Sequence, residues 1–198
     1  MNDAAGMPAN TIAAAALITS RHNTSAKRLV APGPDAAQVE QLFRAAAAAP
    51  DHGQQTPWRF VVIPAEKRAL LGAVFADALA ARDPAASGAE IEAAAAKANR
   101  APLLIAVVAK LGPVEPHIPP LERMVSVGAA VQNILLMAHS MGFGCGLASG
   151  RAMDSAGMRA LFRLQAGEEA VCFINVGTES PKKPGRTRPD PAAFVSTL

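Results

Sequence analysis

The sequence predicts an α+β domain built round one long buried helix, and three observations carry that reading. Short runs that are apolar on both faces (Phe60-Val61-Val62-Ile63, Pro102 to Ala109 and Ala170 to Val176) have the length and pattern of buried strands. Alanine-rich amphipathic stretches separate them, and Leu121 to Met141 is apolar over more than one face, as a helix covered on several sides must be. A chain of 198 residues fits one compact domain, expected over residues 10–198 after a disordered lead of nine residues. The apolar fraction is 51%, but alanine supplies much of it, so helices are favoured and each buries little area. With aromatics at 4% and no tyrosine, a large ligand or a subunit interface is expected to complete the core.

The net charge of +3 and pI near 9.2 come from scattered cations. Only Lys182, Lys183, Arg186 and Arg188 cluster, without interleaved aromatics for base stacking, so a small anionic ligand is favoured over nucleic acid. Cys145 and Cys172 form neither a CxxC nor a zinc-ligand spacing. The expectation is therefore a reduced, cytoplasmic chain without metal or disulfide. The long apolar stretch contains Gln132, Asn133 and His139, which suits a buried helix and not a membrane span.

Taken in order, Thr11 to Ser20 predicts a helix that turns Leu17 and Ile18 to the core. The following segment offers charge from Arg21, Lys27 and Arg28 and hydrogen-bonding groups from Asn23, Thr24 and Ser25. That mixture suits phosphate, and a basic helix end interacting with its own dipole is the alternative. Pro32-Gly33-Pro34 is a connector, and Asp35 caps a helix with Val39, Leu42 and Phe43 on one face. Ala49-Pro50-Asp51-His52-Gly53-Gln54-Gln55-Thr56-Pro57-Trp58 then forms a polar loop bracketed by prolines. Its His52 reads either as a site histidine or as a loop histidine bonding its neighbours. Phe60 to Ile63 is expected to be central in the sheet because neither face is polar.

Ala65 to Arg82 predicts a helix burying Leu70, Leu71, Val74, Phe75 and Leu79. Asp83 to Gly88 breaks it, and Glu90 to Arg100 makes another, so the excursion is a mobile lid or a surface helical hairpin. Pro113, Pro116, Pro119 and Pro120 hold an extended crossing into the long helix. The small residues Ser126, Gly128, Ala129 and Ala130 of that helix suit packing against a second subunit, or a monomer core. Gly142, Gly144, Gly146 and Gly150 permit backbone to approach a flat ligand, or form a helix cap running into a loosened strand. They do not spell GxGxxG and they follow a helix, which disfavours a Rossmann site. Asp154 is expected to cap a short helix to Phe162, and Gly177-Thr178 to close the last strand. Arg186 and Arg188 alternate, so an extended tail would aim both at one anion, or leave both solvated.

Phosphate-suited groups near Arg21 and Arg186, a polar loop and a glycine-rich edge together match the parts of a flavin mononucleotide. Four stretches resemble the FMN-dependent nitroreductases, especially the short bacterial branch of YdjA-type NAD(P)H nitroreductases. They are Arg21-His22-Asn23-Thr24; Ala49-Pro50-Asp51-His52 with Pro57-Trp58; Gly142-Phe143-Gly144 with Ser149-Gly150; and Gly177-Thr178 with Arg186, Arg188 and Pro189-Asp190-Pro191. The resemblance implies a mixed central sheet flanked by helices and a homodimer with FMN at its interface. It implies cofactor contacts from Arg21, His22, Asn23, Ser25, Lys27, Pro50, His52, Gln54, Leu147, Ala148, Ser149, Arg186 and Arg188. The first motif is two residues longer than in short relatives, so Asn23 or Ser25 makes the contact there. Thr56 replaces a usual glutamine, and Leu147-Ala148 a Trp-Arg pair. The implied chemistry is ping-pong hydride transfer through FMN N5, from NADH or NADPH to a nitroaromatic, quinone or similar acceptor, with no catalytic protein residue. His52 then positions by hydrogen bonding, and Lys27 favours the reduced ring. A flavin-storage protein, or flavin-fragmenting or dehalogenating chemistry on the same fold, is the alternative.

Overall fold

The computed structural model describes residues 8–112, 117–181 and 187–198. Helix α1 spans Ala9–Ser20, so Ala9 is helical and not part of a disordered lead; residues 1–7 lie outside the described residues. No residue of α1 is buried, and Ile18 is 53% exposed where it was expected to face the core. Its alanines and isoleucines surround the helix without a single apolar stripe, so no face of it is marked for burial.

The sheet is organised on β5, Glu168–Glu179. It pairs with β3 (Leu103–Lys110) along its length, with β4 (Gly144–Ala148) over Phe173 to Gly177, and with the short β1 (Leu29–Val30) at its end. Among the described residues strand β2, Trp58–Val62, pairs only with β3 and is therefore an edge, not the central strand its apolar run suggests. Helices supply its cover instead: Phe60 packs on Phe43 at 5.9 Å, while Val62 stays 41% exposed. All pairings among the described residues are antiparallel, so the α+β class holds while the parallel component of a mixed sheet is not found among them. Nor does Gly177-Thr178 end β5, because β1 gives it a partner and Thr178 N–H reaches Pro32 O at 3.2 Å.

Alternate residues of β3 enter two cores. Leu103, Ile105, Val107 and Ala109 face α2 (Ala36–Ala47) and the long α5 (Pro120–Ser140), and Asn133 Nδ2 ties those helices by donating to Ala45 O at 3.0 Å. Leu104 and Ala106 face the other side, covered by α3 (Arg68–Arg82), α4 (Gly88–Ala95) and α6 (Ala156–Leu161). Asp35 caps α2 in a reciprocal box with Gln38. Ser155 caps α6 by accepting from Met158 N–H; Asp154 instead ends the 3₁₀ turn Arg151–Asp154. Leu70 is 53% exposed while Leu71 is buried, since neighbouring residues of one α-helix point about 100° apart. The excursion is a close hairpin, with the position of a Cβ on Gly72 only 3.0 Å from Ala95 O. Pro113 and Pro116 of the expected crossing fall outside the described residues. Among the described residues no helix is long and apolar enough to cross a membrane.

Candidate functional site

After α1 the chain lies along β4. Thr24 is buried and its N–H donates to Cys145 O at 2.8 Å, while Asn23 Oδ1 accepts from Leu147 N–H at 3.0 Å. A Cβ on Gly146 would stand 2.2 Å from Thr24 O. That glycine therefore admits the protein's own backbone, where the sequence also allowed a ligand. With Asn23 Oδ1 already engaged, the Ser25 hydroxyl makes no hydrogen bond among the described residues.

This packing gathers charge at one place. His22 Nε2 lies 3.0 and 3.2 Å from the two oxygens of Glu179, which also pairs with Arg28 Nη1 at 3.0 Å. The carboxylate thus has partners on two sides. Among the described residues Arg21 Nε is buried without a hydrogen-bond partner, a costly state for a guanidinium donor unless an anion meets it. Arg188 brings the tail to the same spot, Nη2 donating to the carbonyl of Arg21 and to Thr19 O at 3.5 Å. Arg186 lies outside the described residues. His139 Nε2 meets Ser20 Oγ at 2.8 Å; burial first, then the charges of His22 and Arg21, hold its pKa below the ordinary value against the opposing pull of Glu179.

The polar loop sits elsewhere. Asp51 organises it, accepting from Gln55 N–H at 3.1 Å and Thr56 N–H at 2.7 Å round a left-handed stretch with φ of 68° at Gly53, 53° at Gln54 and 45° at Thr56. Trp58 is buried in the core and anchors the loop to β2. His52, like Pro50 and Gln54, is exposed, and its Nδ1 bonds Glu122 in the first turn of α5. Ser20 meets the same helix at His139, so the loop and the Arg21 cluster mark opposite ends of α5, about 25 Å apart at 1.5 Å per residue. One chain does not bring them together.

A cavity of about 280 Å³ opens beside the end of β4. Ala148 and Ser149 line it, with Ala26 next to the exposed Lys27. Ser149 Oγ donates to Val171 O at 3.0 Å, so its hydroxyl hydrogen is already engaged. The floor is apolar, with Phe75 edge-on to Phe173 at 5.7 Å. Four cations that the sequence did not single out form its rim: Arg82, Lys97, Arg100 and Arg151. No motif contains them, and each stands at a helix end or turn where a basic residue reads as solvated. Their wall is fixed by the buried Arg68, whose guanidinium donates to the carbonyls of Ile63 (3.4 Å), Ala98 (3.4 Å), Pro102 (2.7 Å) and Ala101. Cys145 and Cys172 are free and buried, and burial raises both thiols to about 11, so neither serves as a nucleophile at neutral pH.

The nitroreductase family profile matches residues 20–178. The Escherichia coli K12 protein named "Putative NAD(P)H nitroreductase YdjA" is 35% identical over 177 residues, covering 87% of this chain and 93% of its own. Among solved structures, a nitroreductase-like family protein from Bacillus cereus superposes with a TM-score of 0.78 at 20% identity, over 93% of this chain and 95% of that one. A variant of NfnB from Sphigopyxis sp. strain HMH, described as an FMN and NADPH-dependent nitroreductase, gives a TM-score of 0.67 at 19% identity, over 93% and 98%. Both structures bear on the fold.

Proposed function

Because the chain belongs to the nitroreductase family, we propose that it is an FMN-dependent NAD(P)H oxidoreductase of nitroreductase type, reducing a nitroaromatic, quinone or similar acceptor. The observation that carries the cofactor is the buried, unpartnered Arg21 Nε in a cluster that Arg188 also reaches. Bound there, FMN supplies hydride transfer at N5, from the nicotinamide and then to the acceptor. Arg21 and Arg188 hold the phosphate, and His22 and Arg28 keep Glu179 from repelling it. The free hydroxyl of Ser25 suits the ribityl chain better than Asn23, whose oxygen is engaged. Leu147, Ala148 and Ser149 edge the ring, and Lys27 favours added negative charge on it.

A homodimer completes this arrangement. Two copies crossing antiparallel on α5 would set Pro50, His52 and Gln54 of one against the Arg21 cluster of the other. The apolar surface left open on a single chain supports this: Leu121 is 82% and Val125 70% exposed on α5, Gly128 has open space before it, and no residue of α1 is buried. His52 is a positioning group here. The setting we propose is cytoplasmic.

The test is visible spectroscopy of the purified protein, followed by anaerobic addition of NADH or NADPH. A yellow protein bleached by a nicotinamide is expected; a colourless one that takes up no added FMN would refute the proposal. Arg21→Ala should weaken FMN binding at least tenfold, about the 1.5–3 kcal/mol of a charge-assisted hydrogen bond. Unchanged affinity would remove the phosphate assignment.

A further inference from the structure

The rim of the cavity beside β4 is unusual in having no counter-charge. Among the described residues, Arg82, Lys97, Arg100 and Arg151 make no side-chain hydrogen bond or ion pair, and no carboxylate lines the cavity. Helix dipoles explain part of this placement: Arg82 ends α3, and Lys97 follows α4. They do not explain Arg151, which begins its turn, nor why four side chains from three separate segments converge on one opening. Like charges held together repel, so the arrangement implies an anion that spends time among them.

We propose that this cavity is the acceptor pocket and that it selects single-ring aromatic anions, of the carboxylate class, through Arg82, Arg100 and Arg151. The inference rests on the nitroreductase reading for the reaction, but not for the binding. Its parts have separate roles. Phe75, Leu104 and Phe173 form an apolar floor for a ring, and the guanidinium groups offer planar paired donors to a carboxylate at the mouth. Ala148 and Ser149, shared with the edge where the flavin ring is proposed, would put the ligand's far end toward that ring. Size argues against the nicotinamide dinucleotide as the source of the negative charge. At about 280 Å³ the space lies just below the roughly 300–1,000 Å³ typical of small-molecule sites.

4-Nitrobenzoate is a suitable probe and 4-nitrobenzamide its neutral counterpart. Two-electron reduction of the nitro group consumes one NAD(P)H and one proton, and yields the nitroso compound, NAD(P)⁺ and water. Calorimetry on the purified protein, saturated with FMN wherever FMN binds, should show 4-nitrobenzoate binding at least tenfold more tightly than the amide. Raising the salt concentration should narrow the gap. In Arg82→Gln/Arg151→Gln the preference should fall at least tenfold, through KM and not kcat, with Tm and FMN content unchanged. Equal affinity for the two probes would overturn the proposal. So would a variant whose loss falls on the KM of NADPH, or competition between 4-nitrobenzoate and FMN. Selective binding to a protein that takes up no flavin would support the anion site while sinking the nitroreductase reading, so the two can fail separately.

Discussion

Arg68 and the four cations of the cavity rim sit on the same side of the sheet and have opposite circumstances. Arg68 is buried, and backbone carbonyls from Ile63 and the turn before β3 surround its guanidinium. Arg82, Lys97, Arg100 and Arg151 face an opening with no partner among the described residues. The same chemistry is a structural clamp in one place and an unanswered charge elsewhere on that side of the sheet. What separates them is whether the fold itself supplies the acceptors.

The largest expected effect comes from removing the clamp. Arg68→Ala strands several carbonyls at once and should cost about 3 kcal/mol or more, since each unsatisfied buried group costs about 1–3. Urea unfolding measures it, and a loss below 1 kcal/mol would break the contrast. Burial lowers the pKa of Arg68, and its guanidinium, whose ordinary value is very high, stays charged at neutral pH all the same.

The Arg21 cluster lies between these extremes, and pH sharpens its position. The fold disfavours charged His139, so its contribution to stability is present above the ordinary histidine pKa near 6.5 and is lost as the pH falls through its lower, folded-state value. Tm should therefore fall between pH 7 and 5, and His139→Gln should flatten that fall. An identical slope in the variant would remove His139 as the cause. The smallest effect belongs to the rim, where Arg82→Gln should leave stability within about 0.5 kcal/mol. A larger loss would mean that this arginine is structural after all.

How legible these regions were in the sequence follows from how local their causes are. The buried strand at Leu103–Lys110, the cap at Asp35 and the long helix each announce themselves in consecutive residues, and the structure has them there. The edge position of β2 could not be read, because helices cover its faces as well as flanking strands would, and Ile18 stays exposed because none of the described residues buries that side of α1. At the site, Arg21 and Arg188 signalled themselves by composition and alternation, and the fold joins them. The rim did not, since its members at positions 82, 97, 100 and 151 meet only once α3, α4 and the end of β4 have packed. The glycine run was visible, but Gly146 turned out to make room for Thr24.

The two ends of α5 carry one further consequence. On the proposed assembly each chain holds half of two separate sites, so function belongs to the pair and depends on dilution as a monomer's would not. A chain altered at Arg21 and another altered at His52 would each be impaired at both sites when paired with its own kind. Mixed and allowed to exchange partners, they would form hybrids in which one site collects both lesions and the other collects none.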